Sequence, residues 1–127
     1  MEEKLIIQTE NAPKPIGPYS IGVAFANLIF TAGQLGIDPK SGDIVQGGIQ
    51  AETRQALINL QNILEAGGSS LDKVIKTTVY LRDMSEFSQM NSIYGEFFKS
   101  NYPARTTIQA GALPKNAAIE IEAIAYR

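Results

Sequence analysis

The closing stretch PARTTIQAGALPKNAAIEIEAIAYR, from Pro103 to Arg127, contains two strand-like runs joined by a turn. The runs extend from Ala104 to Ala110 and from Ala117 to Tyr126, and the GALPKN segment between them carries turn-forming Gly, Pro and Asn residues. An arginine lies in the first run, and two glutamates lie among the Ile and Ala residues of the second. Charged side chains at these places predict that one face of the sheet is not simple hydrophobic interior.

Alternation along a strand divides each run into two sets of side chains, because successive residues point to opposite faces of a sheet. The set predicted to lie under a helical layer comprises Ala104, Thr106, Ile108, Ala110, Ile119, Ile121, Ala123 and Ala125. The opposite set comprises Arg105, Thr107, Gln109, Glu120, Glu122 and Ile124. This assignment predicts that Arg105 and Glu120 project from one surface of the sheet.

Upstream of these strands, helical periodicity is clear in two segments. Apolar residues recur at three- and four-residue steps from Ile49 to Leu64, and Gly67-Gly68 supplies a left-handed stop, which predicts a helix from about Gln50 to Ala66. A second helix, capped by Asp83 or Ser85, is predicted from a stripe of large side chains. That stripe comprises Phe87, Met90, Tyr94, Phe97 and Phe98, a spacing typical of core packing.

The remaining segments predict further strands. The β-branched run VIKTTVYL, Val74 to Leu81, predicts a central strand with Ile75, Thr77, Val79 and Leu81 on one face. LIIQT, Leu5 to Thr9, predicts a short strand, and YSIGVAFA and LIFTAGQ predict a hairpin around Asn27. The order of elements predicts an α+β fold in which two helices pack on one face of the sheet.

Composition limits both the architecture and the chemistry. The 127 residues, 44% apolar and 19% charged, predict a single domain over residues 1–127. The sequence has no Cys and no His, which excludes disulfides, thiolate nucleophiles, Ser-His-Asp relays and most zinc or iron sites. A net charge of −2 without a basic stripe argues against nucleic-acid binding. The longest apolar stretch, Val23 to Ala32, is too short to span a membrane, and we expect a soluble cytoplasmic protein.

Self-association is predicted from the sheet face opposite the helices. Alternation places Val74, Tyr80 and Ile124 on that face, and a layer of two helices covers only one side of a sheet. The second face is then expected to be buried against another copy of the chain. An arginine and a glutamate at such a seam are either a structural salt bridge or part of a functional site.

Several sequence blocks together resemble the Rid family, the reactive imine deaminases also called YjgF-like proteins. The blocks are TENAPKPIGPYS, TAGQ, VIKTTVYLRD, NSIYGEFF, PARTT and AIEIEAIA, which extend over almost the whole chain. The most specific part is the carboxy-terminal signature, formed by Pro103-Ala104-Arg105, Ile108 and Ile119-Glu120-Ile121.

The resemblance implies a chorismate-mutase-like fold, with two helices on a mixed sheet, assembled as a homotrimer with ligand clefts between subunits. It implies hydrolysis of 2-enamine and 2-imino acids, namely 2-aminoacrylate, 2-aminocrotonate and their imine tautomers. The products would be 2-oxo acids and ammonia. No cofactor or metal is expected for this chemistry, and the expected partners are small 2-imino and 2-oxo acids.

The residue types fit roles that the resemblance assigns to Arg105 and Glu120. A guanidinium can grip the planar carboxylate of a 2-imino acid with two parallel hydrogen bonds, which is the role expected of Arg105. In a chain without His or Cys, a carboxylate is the natural group to orient and deprotonate a water molecule, which is the role expected of Glu120. Glu122 is expected to be a structural or solvated group, because the signature singles out only Glu120.

Other positions match the family with cleft roles of their own. Tyr19 is either a cleft tyrosine or a packed turn aromatic, and Gly33 and Thr107 are expected to present backbone groups to the substrate. Phe87 and Asn91 are expected near the pocket, although core packing is the stronger interpretation of Phe87. The chain departs from many relatives at Ala32, Thr106 and Thr107, where side-chain contacts would be altered.

Two alternative functions remain compatible with the sequence. A binding module that captures 2-oxo acids and regulates metabolism would need only the arginine. An endoribonuclease or translation inhibitor, a role ascribed to some relatives, is disfavoured by a pI near 5.1 and by the lack of a histidine to shuttle protons.

Overall fold

A mixed six-stranded sheet with two helices on one face makes up the structure, a computed structural model that describes residues 3–127. Its strands are β1 (Leu5–Ile7), β2 (Gly22–Phe25), β3 (Leu28–Thr31), β4 (Val74–Leu81), β5 (Ala104–Gln109) and β6 (Ile119–Tyr126). The helices are α1 (Gly48–Ala66) and α2 (Phe87–Phe97). The spatial order is β1-β2-β3-β6-β4-β5, and among these six strands of residues 3–127 only the β4–β5 pair is parallel. The predicted α+β class is confirmed; Met1 and Glu2 of the predicted domain lie outside the described residues.

The β2–β3 hairpin forms as the sequence predicts. Phe25 pairs with Leu28, so the turn consists of Ala26 and Asn27, and Ala26 adopts a left-handed conformation with φ of 52°. β1 ends at Ile7, before the predicted Thr9. The Thr9 hydroxyl accepts a hydrogen bond from the Asn11 N–H at 3.1 Å. The chain therefore turns at Thr9 and does not continue the strand pairing of β1.

Both helices bury the faces that their periodicity indicates. α1 buries Ile49, Thr53, Ala56, Leu57, Leu60, Ile63 and Leu64, and the chain leaves the helix through Gly68 at φ of 86°. α2 follows a short 3-10 turn, Met84–Glu86, in which the Ser85 N–H donates a hydrogen bond to the Asp83 carboxylate at 2.9 Å. No helix within residues 3–127 combines the length and apolar content needed to cross a membrane.

The helix-facing side of the sheet is set by β6 and β4. The predicted inward residues of β6, together with Thr77, Val79 and Leu81 of β4, are buried in the core. The start of β4 differs from the prediction: Val74 is buried and Ile75 is exposed. A β-bulge between Val74 and Lys76 adds one residue to the strand and inverts the alternation before it.

The prediction that Arg105 and Glu120 share one sheet face is wrong. β5 lies parallel to β4 with Arg105 paired to Thr77, which is buried on the helix-facing side, so Arg105 points toward α2. Glu120 pairs with Tyr80 on the opposite face, hereafter the open face. Alternation determines which residues of β5 share a face, but it does not determine which set meets the helices. On this edge strand the exposed Ile108 belongs to the open face rather than to the core.

The open face carries large apolar side chains in contact with solvent. Its exposed residues include Ile6, Phe25, Phe30, Ile108 and Tyr126. An apolar sheet face of this kind is typical of a surface that a partner covers.

Candidate active site in two halves

Arg105 forms the centre of the first half of the site, at the edge of the sheet beside α2. Its Nη1 donates a hydrogen bond to the Asn91 side-chain oxygen at 2.7 Å. The guanidinium carbon lies 4.7 Å from the centre of the Tyr94 ring and 5.5 Å from that of Phe87. A guanidinium carries five N–H donors, so one amide and two aromatic rings fix its orientation while leaving donors for a ligand.

The Tyr94 ring is itself anchored in the core. Its hydroxyl lies 2.8 Å from the Thr77 hydroxyl, and both residues are buried. Burial raises the pKa of Tyr94, so the phenol stays neutral beneath the guanidinium at neutral pH. The sequence showed Tyr94 only as part of a core stripe, because spacing along α2 gives no information about a cation on β5. Arg105 therefore rests on a rigid aromatic platform.

Thr107 follows Arg105 on the same face of β5. Its hydroxyl oxygen is buried and has no hydrogen-bond partner within residues 3–127. Further along, the Gln109 side-chain oxygen accepts a hydrogen bond from the Met84 N–H at 2.8 Å and ties β5 to the turn before α2. The predicted residues Phe87, Asn91 and Thr107 thus lie on the Arg105 side of the sheet.

Glu120 forms the centre of the second half, on the open face, where it is half-buried against Gly33. A methyl group at Gly33 would approach the Glu120 carboxyl carbon to 2.7 Å, so only glycine fits there without displacing the carboxylate. The next residue, Gln34, exchanges two backbone hydrogen bonds with Ile121, at 2.8 and 3.0 Å. The segment after β3 is therefore locked to β6 beside the carboxylate.

Within one chain, the surroundings of Glu120 raise its pKa. Burial raises the pKa of Glu120 above that of an ordinary glutamate, and the neighbouring charge of Glu122 raises it further. Glu122 accepts a hydrogen bond from the Tyr80 hydroxyl at 3.2 Å. The pKa of Tyr80 is raised by burial and by Glu122, so Tyr80 remains a donor. This contact is consistent with the structural role expected for Glu122.

A cleft of about 830 Å³ opens in front of Glu120. Tyr19, Ala32, Gly33 and Glu120 are among the residues that line it, together with Lys14, Lys40 and Lys115. The Tyr19 side chain is exposed, and its hydroxyl oxygen accepts a hydrogen bond from the Ile16 N–H at 3.3 Å. This position favours the cleft interpretation of Tyr19 over the packed turn aromatic.

The structure thus divides the predicted site residues into two groups. Tyr19, Gly33 and Glu120 line one cleft, and Arg105 with its neighbours lines a separate recess of about 430 Å³. Within residues 3–127 no cluster of three or more acidic side chains is arranged to hold a metal ion.

Comparison with known proteins identifies the family. The family model described as Endoribonuclease L-PSP matches residues 9–127, so the chain belongs to this family. This is the YjgF/RidA family, and the resemblance indicated by the sequence blocks is confirmed.

Known proteins are similar to this chain in sequence over nearly its full length. A RutC family protein of Pyrococcus horikoshii is 56% identical over 98% of this chain and 98% of its own length. A human protein named 2-iminobutanoate/2-iminopropanoate deaminase is 49% identical over 96% of this chain and 89% of its own. Among solved structures, E. coli TdcF with bound serine is 40% identical, with a TM-score of 0.93 and coverage of 97% of this chain and 98% of that one.

Proposed function

We propose that this chain is an enzyme that hydrolyses 2-enamine and 2-imino acids, such as 2-aminoacrylate, 2-aminocrotonate and 2-iminobutanoate, to 2-oxo acids and ammonia. The human relative that carries the deaminase name supports this activity at 49% identity. The observation that carries the proposal is the pairing of chemistries in the two halves: an oriented guanidinium with free donors, and a half-buried carboxylate whose pKa is raised.

Arg105 is assigned to the substrate carboxylate. A planar carboxylate can accept two parallel hydrogen bonds from a guanidinium, and the contacts of Arg105 with Asn91 and Tyr94 hold that guanidinium in place. Fixing the carboxylate also fixes the imine carbon that is attached to it. The arginine thus contributes orientation rather than bond chemistry.

Glu120 is assigned to the attacking water. The substrate reacts as the iminium ion: water adds to its carbon and gives a proton to the Glu120 carboxylate, which forms a neutral carbinolamine. Glu120 then returns this proton to the amino group. The C–N bond breaks to release ammonia as the hydroxyl oxygen forms the carbonyl, and the hydroxyl proton passes to Glu120 and from there to solvent. Imines hydrolyse in water even without a catalyst, so the demand on the site is modest. Fixing the substrate and one water molecule in reacting geometry, with proton transfer worth roughly 10²-fold or more, would meet that demand.

The two residues are expected to come from different copies of the chain. Within one chain they lie on opposite faces of the sheet, so a four-carbon acid cannot contact both. We infer a homotrimer in which the Arg105 edge of one subunit meets the Glu120 cleft of the next. Exposed apolar side chains on the open face support such an assembly.

A coupled assay tests the activity. The protein is mixed with a threonine dehydratase and threonine, release of 2-oxobutanoate is followed, and semicarbazide traps the free imine. Faster release of the keto acid with less adduct is expected. An unchanged rate at high protein concentration would contradict the proposal.

Mixing two inactive variants tests the shared site. Arg105→Ala lacks the carboxylate anchor and Glu120→Gln lacks the base, so each pure homotrimer is expected to be inactive. When the two variants are unfolded together and reassembled in equal amounts, about three quarters of the trimers contain both variants, and each of these has one intact site out of three. The mixture is therefore expected to regain about a quarter of wild-type turnover. Sites contained within single chains would regain no activity. Sedimentation of both variants as trimers is the control.

Capture of small carboxylates without turnover is the second candidate, favoured by the solved E. coli relative with bound serine. Arg105 alone would be enough for that function. Measurable binding of 2-oxobutanoate by calorimetry, together with an unchanged rate in the coupled assay, would support it.

The family is described as an endoribonuclease family, so RNA is a necessary control substrate. A net charge of −2 provides little attraction for a phosphate backbone. RNA cleavage that survives Arg105→Ala and rigorous purification would favour this activity over imine hydrolysis.

A further inference from the structure

Asn59, in the middle of α1, uses both side-chain N–H donors on the loop that follows β3. The residue is fully buried, and its Nδ2 donates to the carbonyl oxygens of Leu35 at 3.2 Å and Ile37 at 2.9 Å. Its Oδ1 accepts a hydrogen bond from the Gln55 side chain at 3.0 Å. Asn is a poor helix former, so its place in the helix interior is explained by these contacts rather than by helix propensity.

Glu52 makes a second polar contact from the same helix. Its side chain is buried, and its Oε1 accepts a hydrogen bond from the Ala118 N–H at 2.8 Å, just before β6 begins. The backbone of Glu52 also touches Gly36, where an added methyl group would lie 2.6 Å from the Glu52 Cα. α1 therefore holds both the loop after β3 and the start of β6.

These two contacts converge on the Glu120 carboxylate. The loop held by Asn59 continues back to Gln34, which is paired with Ile121, and to Gly33, which lies against the carboxylate. The Glu52 contact at Ala118 is two residues before Glu120 on the other side of the same gap. Loss of either set of hydrogen bonds would allow the distance between Gly33 and the Glu120 carboxylate to change.

We propose that Asn59 and Glu52 are positioning residues for Glu120: from the buried side of α1 they set the gap in which the carboxylate is held. This inference rests on the proposed role of Glu120 as the base. Neither residue is among those of residues 3–127 that line the cleft, so both act through the backbone. Within one chain, the ionisable groups around Glu120 are Glu122 on β6, Tyr80 on β4, and Tyr19, Lys14, Lys40 and Lys115 along the cleft. The proposed assembly adds Arg105 of the adjoining subunit.

Kinetics of four variants separate positioning from a general loss of stability. Asn59→Leu and Glu52→Leu remove the contacts at similar volume, and each is expected to lower kcat about tenfold or more, because small displacements of reacting groups are costly. KM is expected to change by less than about twofold, because the substrate carboxylate is bound by Arg105, which these variants leave in place. Glu52→Gln retains an oxygen for Ala118 and is expected to restore kcat. Ile63→Val, a fully buried change on α1, is the structural control.

The carboxyl titration of Glu120 provides a readout that does not need turnover. Carbon-13 NMR of labelled glutamate follows it, with Glu120→Gln giving the assignment. In Asn59→Leu, water entering the loosened gap is expected to move the midpoint down toward that of an ordinary glutamate, whereas Ile63→Val leaves it unchanged. If Asn59→Leu does not fold, Asn59→Asp replaces it, because that change preserves the shape but removes both N–H donors.

Turnover and the Glu120 titration midpoint together distinguish failure of the positioning role from failure of the proposed imine hydrolysis. Wild-type kcat and an unshifted Glu120 midpoint in Asn59→Leu or Asn59→Asp, and in Glu52→Leu, would overturn the positioning role and leave imine hydrolysis intact. A wild-type protein without turnover would overturn the proposed function, while the NMR midpoints would still decide whether α1 positions the carboxylate.

Discussion

Gly33 stands directly against the side chain of Glu120, so that a methyl group in place of its hydrogen would lie 2.7 Å from the carboxyl carbon and 2.8 Å from Cγ. Backbone strain is not the reason for the glycine, because its φ lies outside the left-handed region. Close approach alone requires it. The loop after β3 and the strand β6 therefore form one unit around the carboxylate.

The first prediction follows from this contact. Gly33→Ala is expected to push the carboxylate out of place and to lower kcat about 10²-fold, because a shift of about 1 Å can cost that much. Turnover in the coupled assay measures the effect. Gly111→Ala is the matched control, since a methyl group there meets no atom of residues 3–127 within 4 Å, and it should retain wild-type kcat. Equal activity of both variants would show that the contact has no catalytic consequence.

Arg105→Lys tests the planar grip on the substrate. Lysine retains the positive charge but cannot donate two parallel hydrogen bonds or stack on Tyr94, so KM is expected to rise at least about tenfold. Initial rates over a range of 2-iminobutanoate concentrations measure the change. Arg54→Ala, which removes the exposed ion pair with Glu96, is the control and should leave KM unchanged. A wild-type KM in Arg105→Lys would reduce the role of Arg105 to charge alone.

Tyr94 allows the ring and the hydroxyl to be tested separately. Tyr94→Phe preserves the platform under Arg105 but leaves the Thr77 hydroxyl buried without a partner, at a cost of about 1–3 kcal/mol in unfolding free energy. Turnover should be unchanged. Tyr94→Leu removes the ring as well and should also raise KM. Urea unfolding and initial rates measure the two effects, and an equal rise in KM for both variants would contradict the platform role.

The raised pKa of Glu120 predicts where activity is lost in acid. A general base must be ionised, so kcat/KM should fall as pH decreases through the Glu120 pKa, which lies above the ordinary glutamate value of about 4.3. Glu122→Gln removes the neighbouring charge and should move this acid limb to lower pH. Rates in a constant-ionic-strength buffer series measure the shift. A limb that stays in place would mean that burial alone raises the pKa.

The raised pKa of Glu120 also predicts how stability depends on pH. Activity requires the ionised carboxylate, whereas the fold is more stable when this carboxyl is neutral. A carboxyl whose pKa is higher in the folded than in the unfolded state stabilises the fold below the unfolded pKa, and that stability is lost as pH rises through the folded pKa. Glu120→Gln is always neutral, so its unfolding free energy should exceed that of wild type at neutral pH and match it below about pH 4, where the glutamate is protonated in both states. Urea unfolding at fixed protein concentration measures both.

The secondary structure follows closely from local patterns. The helical periodicity from Ile49 to Leu64, the hairpin around Asn27 and the alternation of β6 all appear in the structure, because each depends on neighbours in sequence. The exceptions also have local causes. The bulge before Lys76 inverts the start of β4, and alternation repeats every two residues, so a single inserted residue exchanges the two faces.

The amino-acid sequence by itself determined the elements, the family and the candidate residues Arg105 and Glu120. Only the tertiary structure decided that these two residues lie on opposite faces of the sheet, because the parallel register of β5 against β4 is a contact between distant segments. The aromatic platform of Tyr94 and the contacts of α1 with the Glu120 loop likewise join residues far apart in sequence. Periodicity reports which side chains share a face, whereas pairing between strands and helices fixes what each face meets.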